Sequence, residues 1–225
     1  MKHKATLACL LLLASFANAG NTYDGYESYY STLSGAIFKS ADKHELEAFS
    51  TPPSANIKFS WSGKIKGQQR HVSVSDGLIK IDGKPLKIPK ANVFPGEIAN
   101  IEDLGRNAGI YLSKDYACFE SVPPSASGTA VRHTSVYLIN QKTKPVVFLK
   151  LPSLFASCTG IRINPQGLIT FDKVEYQYEK GEDYPSGVKF TEYTSFKQQF
   201  QKSEKEVAGK FIEPDNVYKF IIENK

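Results

Sequence analysis

What most limits the fold of this chain is a run of strict two-residue alternation that begins near residue 56. Ile57, Phe59 and Trp61 alternate with Lys58, Ser60 and Ser62, and Val72 and Val74 alternate with Ser73 and Ser75. Successive strand side chains point to opposite faces, so this pattern predicts sheet with one face on a core and one in water. Asp76-Gly77 and Asp82-Gly83 bracket Leu78 to Ile81. Asp-Gly suits two-residue hairpin turns, in which both turn residues take positive φ. Residues 70–75, 78–82 and 85–88 are therefore expected to form a meander.

A second β series is expected at 109–113, 116–121, 131–139, 146–151, 160–163 and 168–178, with another strand at 187–194. Val146 to Leu151 is apolar on both faces apart from Lys150, which predicts an interior strand covered on both sides. Along 168–178 the apolar parity switches from Ile169 and Phe171 to Val174, Tyr176 and Tyr178. A bulge near Asp172-Lys173 would account for that switch.

The two ends read differently. Tyr26, Tyr30, Leu33 and Ile37 fall at helical spacing, although Gly35 and β-branched neighbours weaken the pattern. Asp42-x-x-Glu45 reads as a capping box opening a short helix through Phe49, stopped by Thr51-Pro52-Pro53. Phe196, Phe200 and Val207 share one helical face, with Gly209 as a stop. Periodicity leaves Val217 to Ile221 open between helix and strand. The expected fold is mostly β, an antiparallel β-sandwich or partly open barrel with short N-terminal and C-terminal helices. It forms one exported domain over 20–225, divided into a Tyr/Ser-rich and short helical segment (20–55), a β core (56–195) and a helical tail (196–225).

Export is inferred from the first nineteen residues. Lys2 and Lys4 precede an apolar run from Ala5 to Phe16, and Ala17-Asn18-Ala19 has the small-x-small pattern of a cleavage site. This reads as a signal peptide cut after Ala19. No later run approaches the ~20 apolar residues of a membrane-spanning helix, so no transmembrane segment is expected after cleavage. Cys9 falls within the leader, which leaves Cys118 and Cys158. Two cysteines in an oxidising compartment are expected to pair, closing a loop of about 40 residues worth roughly 4 kcal/mol in the chain-entropy model. The short leader and the absence of any Asn-x-Ser/Thr acceptor point to a periplasmic or secreted bacterial protein. The net charge of +5 includes Lys2 and Lys4, so little basic excess survives cleavage and nucleic acid is not an expected partner.

Catalytic signatures are sparse. There is no Gly-x-Ser-x-Gly elbow and no Walker loop, and His44-Glu45-Leu46-Glu47-Ala48 lacks the second histidine of a zinc-protease helix. No metal site and no cofactor are expected. The most unusual loop is Pro123-Pro124-Ser125-Ala126-Ser127-Gly128-Thr129, which follows Cys118, while Pro152 to Ser157 precedes Cys158. A disulfide would hold these small-residue segments together, with Arg132, His133 and Arg162 supplying polar reach. Ser125, Ser127, Arg132, His133 and Arg162 are the expected binding residues.

Charge is uneven. Lys58, Lys64, Lys66, Arg70, Lys80, Lys84, Lys87 and Lys90 stand against Asp76 and Asp82 across the meander. Such a surface suits an anionic envelope polymer or lipid, and equally it protects sheet edges. Trp61 offers a sugar-stacking face, but its alternation with Phe59 and Ile57 places it toward the core. Three functions follow. The first is a non-enzymatic inhibitor or immunity protein that neutralises a secreted toxin or envelope hydrolase by protein–protein contact, its loops plugging the partner's cleft. The second is an envelope glycan- or lipid-binding module. The third is a hydrolase with a dispersed Ser-His-acid site, for which Ser125, Ser127 and Ser157 are candidate nucleophiles and His133 the base.

Overall fold

The computed structural model describes residues 20–49, 58–75, 78–87, 92–99, 108–122, 126–197 and 199–223. Residues 1–19, Asp76-Gly77 and Ser125 lie outside them. The chain opens with β1 (Thr22–Asp24), helix α1 (Tyr26–Tyr30), β2 (Lys43–Glu45) and β3 (Glu47–Phe49). The meander follows as β4 (Lys58–Ile65), β5 (Gln68–Ser75), β6 (Leu78–Ile81) and β7 (Lys84–Lys87). Next come β8 (Asn92–Val93), β9 (Gly109–Leu112), β10 (Tyr116–Ser121), β11 (Ser135–Asn140), β12 (Val147–Lys150) and β13 (Arg162–Ile163). Three long strands, β14 (Ile169–Tyr178), β15 (Pro185–Phe196) and β16 (Gln199–Phe211), precede the terminal β17 (Lys219–Ile222).

The strands form three sheets, ordered β3-β4-β5-β6-β7, β2-β9-β10-β11-β12-β8 and β1-β17-β16-β15-β14-β13. Among the described residues, every strand pairing is antiparallel except that of β12 with β8. The second sheet is the middle layer. On one face, Ile110, Ala117, Phe119, Ile139 and Phe148 pack against Phe59, Val72, Val74, Ile79 and Ile81 of the meander. On the other, Tyr111, Cys118, Leu138 and Leu149 pack against Ile169 and Phe171 of the third sheet and against Ile161, which precedes β13. A third cluster sets Tyr26, Tyr29 and Tyr30 of α1 on Val174, Val188, Phe190 and Phe220. The architecture is a mostly β, antiparallel layered sandwich, as the alternation implies. β12 is apolar on both faces because Phe148 enters one cluster and Leu149 the other.

The meander matches its expected bounds within a few residues. Its turn at Asp82-Gly83 places Asp82 at φ 50° and Gly83 at φ 79°, the conformation that Asp-Gly tolerates.

Several expectations are corrected. The helix expected to run from Asp42 through Phe49 is instead a 3₁₀ turn at Ser40–Asp42 followed by β2 and β3. The Asp42 carboxylate caps backward, accepting the Lys39 N–H at 2.9 Å, and Lys43 to Glu45 then pair with β9. The N-terminal helix lies earlier, at Tyr26–Tyr30. Residues 131–134, expected to begin a strand, instead complete a 3₁₀ turn at Gly128–Arg132 and lead into β11.

The C-terminal helical segment is also corrected: it is strand. β16 pairs along β15, and β17 pairs with both β16 and β1. The reason is the one that explains the parity switch in β14. No register irregularity occurs at Asp172-Lys173; the register shift lies at Gln177/Tyr178. The early part of β14 is buried against the middle sheet through Ile169 and Phe171, and its later part is buried against α1 through Val174 and Tyr176. Opposite faces of one strand are therefore covered at its two ends. In β16, Phe200 likewise packs on the middle-sheet side and Val207 on the α1 side. That exchange of faces erases the period of two and imitates a helical spacing. Gly209, expected as a helix stop, instead permits close packing. A Cβ on Gly209 would lie 3.0 Å from the Phe220 ring, and a Cβ on its neighbour Gly187 would strike the Gly209 carbonyl.

Among the described residues, no helix is long and apolar enough to cross a membrane.

Candidate functional site

Cys118 of β10 and Cys158 are joined by a disulfide spanning 40 residues, with both cysteines fully buried. It fastens the 3₁₀ turn at Cys158–Gly160 to the middle sheet. Beside it, two segments run together. Thr134 N–H donates to the Ser153 carbonyl at 2.9 Å, Phe155 N–H donates to the Arg132 carbonyl at 2.7 Å, and His133 bridges Leu154. The contacts run from Arg132, His133 and Thr134 to Ser153, Leu154 and Phe155, just beyond the Pro123–Thr129 stretch for which they were expected.

What these segments make is concave. With the start of α1, Lys43 of β2 and the end of β10, they enclose a cleft of about 340 Å³. That lies at the small end of the ~300–1,000 Å³ typical of ligand pockets. One wall is aromatic. The Phe155 ring stacks on Tyr26 with centroids 3.9 Å apart and planes 9° from parallel, and Tyr218 meets Phe155 edge-on at 5.6 Å. Tyr26 is pinned by its hydroxyl, which donates to the Val217 carbonyl at 3.0 Å. Phe155 has φ 52°. A bulky non-glycine residue in the left-handed region carries ~1–3 kcal/mol of strain, held here by surrounding contacts. The Tyr30 hydroxyl donates to its carbonyl at 3.1 Å, one of those contacts. Val122 and Val131 add exposed apolar surface at the rim.

The floor is polar and fully engaged. Glu120 is 7% exposed. Its Oε1 accepts from the Tyr111 hydroxyl at 2.9 Å and lies 3.4 Å from Lys43 Nζ. Its Oε2 accepts from the Ser157 hydroxyl and from Cys158 N–H, both at 3.0 Å. A carboxylate has about four lone-pair sites, and here each has a donor. Burial pulls the Lys43 ammonium downward in pKa, but the Glu120 and Glu45 carboxylates outweigh it and hold the group above its usual value. Burial, reinforced by the Glu120 charge, pushes the Tyr111 phenol well up, so it stays a neutral donor.

The expected site residues separate. Arg132 lines the cleft, and its Nη1 donates to the Tyr176 hydroxyl at 2.8 Å. Ser127 is exposed and precedes the 3₁₀ turn at Gly128–Arg132. His133 is exposed, and its Nδ1 lies 3.0 Å from Ser153 Oγ. Arg162 is placed elsewhere and is 4% exposed. Its guanidinium binds both oxygens of Asp172 at 2.8 and 3.0 Å and Glu192 at 3.0 Å, across β13, β14 and β15. It is an internal brace and does not reach the cleft.

No Ser-His-acid triad forms among the described residues. The pairs His133–Ser153 and His71–Ser62 each use Nδ1, and no carboxylate bonds either ring. Ser157 is committed to Glu120 and also accepts from Thr159 N–H. No group of three or more His, Cys, Asp or Glu among the described residues is placed to hold a metal ion.

Of the basic meander, Arg70 turns inward, is 9% exposed and pairs with Asp82 at 2.7 Å. Trp61 is half-buried, with His44 stacked on it at 4.3 Å. One ring face that a sugar would use is therefore occupied.

Sequence reasoning missed Glu120, Lys43, Phe155 and Tyr218. The only sign of Glu120 was an acid continuing the apolar run Tyr116 to Phe119, two residues from Cys118 and hence on the same strand face. Comparisons with protein-family models, with characterised proteins and with solved structures gave no match to this chain.

Proposed function

We propose that this protein is an exported, non-enzymatic binding protein that acts by protein–protein contact, as an inhibitor or immunity factor against a toxin or envelope hydrolase. The observation that carries the reading is the disulfide-backed cleft, in whose floor Glu120, Lys43 and Ser157 are already bonded to one another or to neighbouring groups. A floor so saturated offers no free base or nucleophile for chemistry. It does offer a shaped, preordered recess, and preorder reduces the entropy lost on binding. The concavity changes how contact is made: the cleft receives part of the partner, whereas loops that plug a partner's cleft would have to project. The leader and the disulfide support an oxidising, extracytoplasmic setting.

The test uses the mature protein immobilised and challenged with native envelope extract, beside a Val131→Trp variant that fills the cleft mouth. The expected result is one partner, named by mass spectrometry, retained by the wild type and lost by the variant. Its enzymatic or toxic activity should be blocked at equimolar protein. Recovery of no partner, or a partner whose activity is unchanged, defeats the proposal.

A further inference from the structure

Resting on the reading of the cleft as a binding site, we infer that its occupant is a carboxylate carried on an apolar or aromatic stem. Of the charges lining the cleft, Lys43 and Glu120 are matched to each other, whereas Glu27 and Arg132 have neutral hydrogen-bond partners. Lys43 faces Glu120 and Glu45 at 3.4 and 3.6 Å. Glu120 has its four donors, and the Glu27 carboxylate accepts from the Ser40 hydroxyl at 3.4 Å. Arg132 has a neutral partner, the Tyr176 phenol, and no carboxylate among the described residues pairs with it. The Tyr176 bond occupies Nη1 and leaves Nε and Nη2, an edge whose two parallel N–H groups fit the two oxygens of a carboxylate.

The same arginine stands against the aromatic wall. Tyr176 meets Phe155 edge-on at 5.7 Å, and Phe155 stacks on Tyr26. Val131, the residue before Arg132, is 42% exposed, and Tyr218 is 43% exposed. A ligand anchored at Arg132 therefore lies along apolar surface that is otherwise open to water, and covering that surface is favourable. Arg132 is the one cleft-lining cation without a carboxylate partner among the described residues and suits one negative charge, while Glu27 sits exposed at the start of α1. A phosphate dianion calls for more, and Lys43 is already engaged. The cleft volume of about 340 Å³ accommodates one aromatic residue with its carboxylate and excludes a folded element.

The probe is N-acetyl-L-phenylalanine, compared with its carboxamide and with phenyl phosphate, titrated into the isotopically labelled mature protein and followed by NMR. The acid is expected to shift Arg132 and Tyr218 signals saturably, and to bind at least about tenfold more tightly than the amide, since a hydrogen bond to a charged group is stronger than a neutral one. Arg132→Gln should remove that preference, and added salt should weaken it. Because Arg132→Gln also breaks the Tyr176 bond, the exposed Val131 provides a second handle: Val131→Asp should repel the acid and Val131→Lys should tighten it. Equal binding of acid and amide, tighter binding of phenyl phosphate, or an affinity unchanged by both Arg132→Gln and Val131→Asp overturns the inference. If the acid binds as stated but no protein partner is captured, the partner proposal falls and this one stands. A captured partner retained equally by Arg132→Gln overturns this one alone.

Discussion

Replacing Glu120 with alanine is expected to destabilise the protein by about 2–6 kcal/mol, a large part of the ~5–15 kcal/mol available to a typical domain. The range follows from which donors are stranded. The Tyr111 hydroxyl and Cys158 N–H belong to fully buried residues, and each unsatisfied buried donor costs about 1–3 kcal/mol. The Ser157 hydroxyl keeps its contact with Thr159 at 2.9 Å. The Lys43 side chain, 39% exposed, turns to water at little cost.

Glu120→Gln separates this account from a simple size effect. Cys158 N–H can only donate, so the amide oxygen must face it, and the amide NH₂ must face Tyr111 and Lys43. A phenol can reverse to accept and Lys43 can swing away, so the glutamine should cost about 1 kcal/mol. Urea unfolding at pH 7 of the oxidised wild type and both variants, compared at equal slopes, provides the measurement. An alanine variant within 1 kcal/mol of wild type, or a glutamine variant as damaged as the alanine, would refute the saturated-floor argument.

Asp172→Ala leaves the Arg162 guanidinium buried with only Glu192 opposite. It should cost about 3–5 kcal/mol in chemical denaturation, and a loss under 1 kcal/mol would show the brace to be dispensable. Replacing Cys118 and Cys158 together by serine should remove roughly 4 kcal/mol, the denatured-state entropy of the loop they close. Equal unfolding midpoints for the double variant and the oxidised wild type would contradict this. Burial pushes the phenols of Tyr26, Tyr29, Tyr30 and Tyr111 above their ordinary 10.0. A raised folded-state pKa confers stability that is complete below the unfolded value and declines as pH rises past it, so the protein should weaken above pH ~10. At least these four of the twelve tyrosines should ionise, by absorbance at 295 nm, only as the circular dichroism collapses. A single smooth titration of all twelve in folded protein would count against it. At the acid end, hydrogen bonds from Lys173, Lys202 and Lys219 hold Glu175, Glu206 and Glu213 below their ordinary 4.5. Lowered carboxylates confer stability present above that value and lost as pH falls through the folded pKa. The urea midpoint should therefore drop below pH 4.5, and a flat midpoint down to pH 3 would contradict this.

The meander was legible because β4 to β6 bury one face only, so alternation survives in Val72, Val74, Ile79 and Ile81. β12 was legible for the opposite reason, since both its faces are buried. The long strands β14 and β16 were not, because each is covered on one face at one end and on the other face at the other end. Spacing rules assume a constant environment along an element, and Phe200 and Val207 break that assumption. The site was half legible. The cysteine pairing was legible, and Arg132 was named beside it, but the strip that meets Ser153 to Phe155 is Arg132 to Thr134 and not the small-residue stretch before it. Arg162 was misassigned because sequence cannot distinguish an arginine offered to solvent from one neutralised by Asp172 across a sheet register.

By itself, then, the amino-acid order determined the local and covalent features: the turn chemistry of Asp82-Gly83, the one-sided strands of the meander, and the pair of cysteines available to each other. Only the tertiary structure decided that three sheets stack with a shared middle layer, that the tail is strand, and that Glu120 is silenced by four donors while Arg132 keeps an open edge. Turns and alternation are set by neighbours in the chain, whereas burial, charge pairing and the hollow beside the disulfide are set by residues on separate segments, from 9 to 191 positions apart.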